Sequence, residues 1–399
     1  MTRRIDLRRD VRLLRSSRAG RRLQWSQPRP VDVAILFSTD AELIASLCPT
    51  EAIAVIDPGD GPLHLGSALR ALRRGRPRGR NYFAEMLSRY RPRVVLTAID
   101  NYPDLFSLKA EFPQVTFICV QNGVRGWVDD TLGEIHSLAE HRLPPLDHAF
   151  TFGPTASALL PPRLYQSIHP TGSLRNNAAP IGGGPRSGLA YISTYRPWLH
   201  PDDLVPVTPG GRRVTYRELH EAREHVVRFL AGYCKDHGLQ LTVIGKNTDV
   251  AADQRYYDSI IGAGCYRLSA RTDALASYRA VDTAEIVVFT SSTLGYEALA
   301  RGGKVAALTV GGSLLGCREH RFGWPGTVSD DGPFWTNDQD PRRFRAILDE
   351  VRLMSDTEWT STASPVINPL MVHDIDNATL RHTIRESLDG DAESIAAIA

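Results

Sequence analysis

Long apolar runs are missing from this 399-residue chain. None approaches the roughly 20 residues that a membrane-spanning helix needs, which excludes a bundle of spanning helices. Cysteine is scarce. The five residues Cys48, Cys119, Cys234, Cys265 and Cys317 are odd in number, scattered and without ligand spacing. That excludes a disulfide framework and a thiolate zinc site, and suits free thiols in a reducing cytosol. No charged-then-apolar secretory signal is read at the start, so the expected location is cytoplasmic. His136, His141, His148 and His169 fall at no metal-binding spacing, and neither a metal nor a cofactor is expected. Excess charge of one sign is lacking too, with a formal net charge of +2. Together with the absence of a zinc or RNP-like motif, that argues against nucleic acid as a partner. What remains, 42% hydrophobic and 23% charged residues, is an ordinary globular composition at a length that suggests two domains.

Charge is nonetheless unevenly placed. The first 22 residues hold nine arginines, with Leu7, Val11 and Leu14 at helical spacing among them. This leader is either a basic amphipathic helix for an anionic membrane surface, at the inner face, or a basic tail. A second cluster runs from Arg70 to Arg80.

After the leader, apolar β-type runs alternate with helix-forming stretches. Val31–Phe37, Ala52–Ile56, Arg93–Ile99, Val115–Val120 and His148–Phe152 read as strands, and so do Leu189–Ser193, Leu241–Ile244, Ile286–Phe289 and Val305–Leu308. Their near-continuous apolarity predicts parallel strands covered on both faces. The expected fold is α/β: two doubly wound Rossmann-like domains with a cleft between them. Its parts are a basic leader (1–30), a first Rossmann-like domain (31–175), a flexible linker (176–188), a second Rossmann-like domain (189–370) and a C-terminal helix with tail (371–399).

Ligands of such sheets sit beyond the carboxyl ends of the strands, so polar residues there are the candidates. The most informative is the segment from Glu285 to Val305, which reads strand, hydroxyl turn, helix, strand. Ser291, Ser292 and Thr293 fall where the helix begins, and a helix N-terminus with its unpaired amides suits a phosphate. Glu297, just over one turn in, could accept from ribose hydroxyls. Ser292 as a plain N-cap is the competing reading. In the same domain Ser193 and Arg196 follow one strand, and Lys246 and Asn247 another; together these loops form a candidate anion site. In the first domain Asp100 and Asn101 follow one strand, and Gln121, Asn122, Gly123 and Arg125 follow the next. Amides before a glycine can turn sharply while offering donors and acceptors to a sugar. Asp100 is a candidate base, with a helix cap as its alternative, and Glu134 is a second candidate beside Asp129 and Asp130. The long Leu315–Trp335 segment adds Arg318, Glu319, His320, Arg321, Trp324 and Trp335.

The pieces AIDNYPDLFSLKAEFPQVTFICVQNGVRG, TFGPTASAL, TGSLRNN, YISTYR, TVIGK, VVFTSSTLGYEALARGGKV and the later RFGWPG with GPFWTN run in order from about Val31 to Ala378. With them the chain resembles the surface carbohydrate biosynthesis proteins, a group similar to GT-B glycosyltransferases. That resemblance implies a GT-B-like fold, with 31–175 as the acceptor-side domain and 189–370 as the donor-nucleotide domain. It places a nucleotide-sugar donor against Ser291, Ser292, Thr293 and Glu297, and a polysaccharide or lipid-linked acceptor near Asp100, Asn101, Gln121 and Asn122. The implied function is sugar transfer in surface polysaccharide or glycolipid synthesis. Polyol-phosphate transfer, or a non-catalytic nucleotide-sugar-binding role in the same pathway, are the alternatives. At Glu297 the paired-glutamate spacing of many retaining GT-B enzymes is absent, since Glu285 lies twelve residues back. The hydroxyl-rich turn resembles that of transferases using CMP-activated ulosonic acids, although the His169–Pro170 and His200–Pro201 pairs lie outside the expected donor loop.

Overall fold

The computed structural model describes residues 23–24, 28–73, 80–127 and 132–396. The Arg-rich leader, most of the GRPRGR stretch and the Asp129–Asp130 pair lie outside the described residues. No helix among the described residues is long and apolar enough to cross a membrane.

The first half contributes β1 (Leu23–Gln24), β2 (Val33–Leu36), β3 (Ile53–Ile56), β4 (Leu63–His64), β5 (Val94–Thr97), β6 (Thr116–Val120), β7 (Leu146–Thr151) and β8 (Tyr165–Pro170). Six of these form one parallel sheet in the order β3-β2-β5-β6-β7-β8, while β1 and β4 pair separately. The second half contributes β9 (Leu189–Ile192), β10 (Leu241–Ile244), β11 (Arg267–Ser269), β12 (Ile286–Phe289), β13 (Val305–Leu308), β14 (Asp331–Gly332) and β15 (Trp335–Thr336). Their order is β11-β10-β9-β12-β13-β15-β14, parallel apart from β14. Every residue of β2, β5, β9, β12 and β13 is buried, as strands sandwiched between helix layers must be. Strand order reverses between β2 and β5 in one sheet and between β9 and β12 in the other, which opens a crevice at each carboxyl edge.

The chain crosses between the sheets twice, and the two crossings are bonded to each other. Asn177 donates to the Thr171 carbonyl at 2.9 Å and to Asn377 Oδ1 at 3.1 Å, and its own Oδ1 accepts from the Asp374 amide at 3.1 Å. Gly172, at φ +91°, passes so close to the return segment that a Cβ there would meet the Val372 carbonyl oxygen at 2.0 Å. The expected flexible linker 176–188 therefore divides. Asn176 and Asn177 are buried in the helix Leu174–Ala178, and only 180–187 form an exposed run. The final helix, Ala378–Ala396, returns to the first sheet, packing Leu380, Ile384 and Leu388 against Val33 and Val94.

One buried cation fastens this hinge. Arg301, at the end of the helix Thr293–Ala300, pairs with Asp282 through Nε at 3.0 Å and Nη2 at 2.6 Å. It also donates to the carbonyls of Asn176 (3.1 Å), Ala179 (2.9 Å) and Pro180 (2.8 Å). Arg301→Met should cost about 3–5 kcal/mol in urea unfolding, because it strands the Asp282 carboxylate in the interior. Adding Asp282→Asn should recover part of that loss; a double variant no more stable than the single would contradict this account.

Candidate active site

The second domain's contribution begins at the end of β12. Ser292 takes the extended N-cap conformation, and its Oγ accepts from the Leu294 amide at 3.3 Å. The helix Thr293–Ala300 then starts with its first-turn amides at the sheet edge. Gly295 allows the helix to lie this close to its own strand, since a Cβ there would sit 2.3 Å from the Phe289 ring. The capping reading of Ser292 and a place in the cleft hold together, because Ser292 and Thr293 line two adjoining cavities between the domains.

The smaller cavity, about 340 Å³, brings Asp40, Gln121 and Asn122 of the first domain against Ser193, Ser292, Thr293 and Glu297 of the second. The larger, about 590 Å³, brings Gly123 and Arg125 against Arg196, Arg223, Ser291 and His320. The strand-end turns of the two sheets thus face each other across one cleft. Lys246 lines both cavities and stands at their junction. Burial pushes its ammonium down to about 8, and the nearby Arg196, Arg223 and Arg271 push the same way. Among the described residues no carboxylate or hydrogen-bond acceptor engages the side chains of Lys246, Arg196, Arg223 or Arg271. Glu297 is buried on the smaller cavity's wall. Burial lifts its carboxyl above the usual range, while the hydroxyls of Ser173 and Tyr278 and the charges of Arg175 and Arg301 oppose the lift.

Several expected residues have other partners. Asp100 forms a two-point ion pair with Arg125, with Nε donating at 2.9 Å and Nη2 closing the second contact, and it accepts from the Asn122 amide at 3.3 Å. Burial raises its carboxyl, with Arg125 pulling the other way. The carboxylate is therefore committed to bracing the 121–125 turn, where a free base was expected, and Arg125 is equally committed. Gln121 completes the brace, donating to the Gly123 carbonyl at 2.9 Å and accepting from the Phe152 amide at 2.8 Å. Glu134 is exposed on the helix Leu132–Leu138 and lines neither cavity, so its side chain is not where a base would act. Asn101 lines neither cavity. Asn247 lies buried behind the cleft, bonded to Asp253 and to the Tyr195 carbonyl at 3.2 Å. Ser193 does line the smaller cavity, its Oγ accepting from the Tyr257 hydroxyl at 2.7 Å.

The segment after β13 closes the cleft. Trp324 Nε1 donates to the Arg125 carbonyl at 2.7 Å, and Glu319 Oε1 accepts from the Trp127 amide at 3.0 Å, so this loop of the second domain grips the turn of the first. Trp335 is buried and donates to the Ser329 carbonyl. His320 lines the larger cavity with Nε2 3.4 Å from the Pro206 carbonyl oxygen. Burial lowers its pKa, which leaves the imidazole neutral at pH 7. Sequence reasoning missed Arg223, Arg271 and Arg175. Arg223 is one charge among many on the long helix Tyr216–Asp236, and Arg271 follows a three-residue strand too short to read. Among the described residues no group of three His, Cys, Asp or Glu is placed to hold a metal.

Residues 118–388 match the family described as "putative O-antigen biosynthesis protein". The chain belongs to this family. No curated protein matches it in sequence. In structure this O-antigen biosynthesis family member is similar to a putative UDP-N-acetylglucosamine 2-epimerase from Listeria monocytogenes, at 13% identity and a TM-score of 0.55, covering 90% of this chain and 97% of that one. It is similar to S. aureus MnaA, solved with UDP, at 12% identity and a TM-score of 0.53, with 90% and 97% covered. It is also similar to the wall teichoic acid polymerase TagF in its H548A form, at 9% identity and a TM-score of 0.51, with 96% and 98% covered. At these identities the likeness is one of fold, and the fold is GT-B-like.

Asp100→Ala should destabilise the protein by about 3 kcal/mol, because it leaves the Arg125 guanidinium largely buried without its counter-charge. Limited proteolysis should then cut within 121–127 sooner than in the parent. Unchanged stability and unchanged cleavage would remove the bracing role.

Proposed function

We propose that this protein transfers a group from a nucleotide-activated sugar to a surface-polysaccharide acceptor, chemistry that would serve O-antigen assembly. The observation that carries the reading is the unpaired Lys246 beside the N-terminus of the helix Thr293–Ala300, at the meeting point of two interdomain cavities. An ammonium without a counter-ion, lining both cavities beside the positive end of a helix, suits the phosphates of a nucleotide. The nucleoside end then occupies the smaller cavity, with Glu297 toward the ribose and Arg271 and Ser277 at the far wall. The group to be transferred points into the larger cavity.

Catalysis in this arrangement is mainly electrostatic. Charge that builds on the leaving phosphate as its bond to the sugar breaks is met by Lys246, the helix amides and the Ser292 and Thr293 hydroxyls, all in place beforehand. His320 replaces Asp100 and Glu134 as our candidate proton acceptor, being neutral at pH 7 and exposed to the larger cavity. Asp100 and Arg125 act as positioning residues for the 121–125 turn, from which Gln121 and Asn122 line the smaller cavity.

A thermal-shift screen against UDP-, GDP-, dTDP-, CDP- and CMP-linked sugars tests the reading, since a ligand that binds only the folded chain raises its melting temperature. A panel in which no nucleotide shifts the melting temperature would sink it. For the nucleotide that binds, Ser292→Ala with Thr293→Ala should cost about 1–3 kcal/mol of affinity. The pH dependence has a definite sign. Lys246 loses its proton near 8 in the free protein, and a bound phosphate raises that value. Binding then takes up protons, and affinity falls as pH rises through about 8, by about tenfold for each unit of upward shift. Lys246→Arg should bind with a flat profile over that window; the same slope in both proteins would remove Lys246 from the phosphate site.

A further inference from the structure

Resting on the transferase reading above, we infer that the partner held in the larger cavity, whether transferred group or acceptor, is itself an anion: a carboxylated sugar or a phosphorylated sugar or polyol. The argument comes from a census of charge on that cavity's wall. Arg125 is spent on Asp100, and Arg321 on Asp330 at 2.7 Å. Glu319 supplies a carboxylate, but its Oε1 is occupied by the Trp127 amide. Arg196 and Arg223 remain, and among the described residues neither side chain has an anionic or hydrogen-bonding partner.

Their placement separates them from the nucleotide. Arg196 follows β9, and Arg223 lies on the helix Tyr216–Asp236; both line the larger cavity and neither lines the smaller. Arg196 is exposed at the rim, and Arg223 is half-buried on the wall beside the stacked rings of Tyr195 and Tyr256, whose centroids are 3.8 Å apart. Two guanidinium groups and Lys246 brought together repel one another, an arrangement the fold avoids at Arg301, Arg125 and Lys109, each of which has a carboxylate. A planar fork of donors matches a carboxylate or phosphate at two points. A nucleotide diphosphate at the helix N-terminus engages Lys246 and leaves Arg196 and Arg223 for a second negative group.

Isothermal titration of the full chain, saturated with the nucleotide found in the screen, tests the inference with four probes: D-glucuronate, sn-glycerol 3-phosphate, D-glucose and glycerol. At least one charged probe should bind about tenfold or more tightly than its uncharged counterpart, and that advantage should vanish in Arg196→Gln/Arg223→Gln. Glucuronate alone binding selects the carboxylate source, and glycerol phosphate alone the phosphate source. Arg223→Lys, which keeps the charge, should recover part of the binding and guards against a folding artefact. Nucleotide affinity in the double Gln variant should fall much less than probe affinity. Equal binding of charged and uncharged probes, or full anion binding by the double variant, overturns the inference. A nucleotide screen without hits instead overturns the transferase reading on which it rests.

Discussion

Arg301 and Asp282 hold together the parts on which the cleft depends. Their ion pair is almost fully buried, with side-chain exposures of 1% and 5%, and such a pair is tolerable only when its remaining donors are satisfied. Here they are satisfied by three backbone carbonyls of the hinge. The Asp282 carboxylate also accepts from the Gly182 amide at 3.0 Å. Because Arg301 closes the helix Thr293–Ala300, the element whose N-terminus opens on the cleft is the element whose C-terminus fixes the crossing between the two sheets. The distance between the two domains' strand-end turns is thereby set from behind the site.

The protein neutralises the cations it encloses, on the walls of the cleft as well as away from it. Lys109 has Asp147 and two backbone carbonyls, Arg175 has Asp40, and Arg125 has Asp100. Four cations that line the cleft have no such partner among the described residues: the half-buried Arg223, and Lys246, Arg196 and Arg271, which stand exposed to the cavities. Unpaired like charges at close quarters raise the energy of the empty protein, and an anion arriving there relieves it. The convergence of these unpaired cations on one cleft is what supports the proposal of a negative ligand there.

The cleft is also closed from the front. Trp324 and Glu319 reach from the second domain to the backbone of 125–127, beside the turn that Asp100 and Gln121 brace. These contacts use backbone groups of the partner domain, so they depend on the turn keeping its shape. Asp100 is thus coupled to the cleft through packing and hydrogen bonds, although its carboxylate offers no free oxygen to a substrate.

The alternation of apolar runs and helix-forming stretches was enough to specify two parallel sheets, because strands buried on both faces cannot be polar. The rule that ligands gather beyond strand ends was enough to point to Ser291–Thr293, Glu297, Lys246 and the 121–125 turn, residues that the structure brings to the interdomain cavities. Sequence could not say whether a polar strand-end residue faces outward or is consumed internally. Asp100 and Asn247 were consumed by Arg125 and Asp253, Glu134 turned to solvent, and Arg223 entered the cleft from the middle of a helix. Those outcomes depend on contacts between residues distant in the chain: 25 positions separate Asp100 from Arg125, and 125 separate Asn176 from Arg301. Local composition determines which segments are buried and roughly where a site lies. Only tertiary packing decides which charges are neutralised by the protein, and so which are left for a ligand.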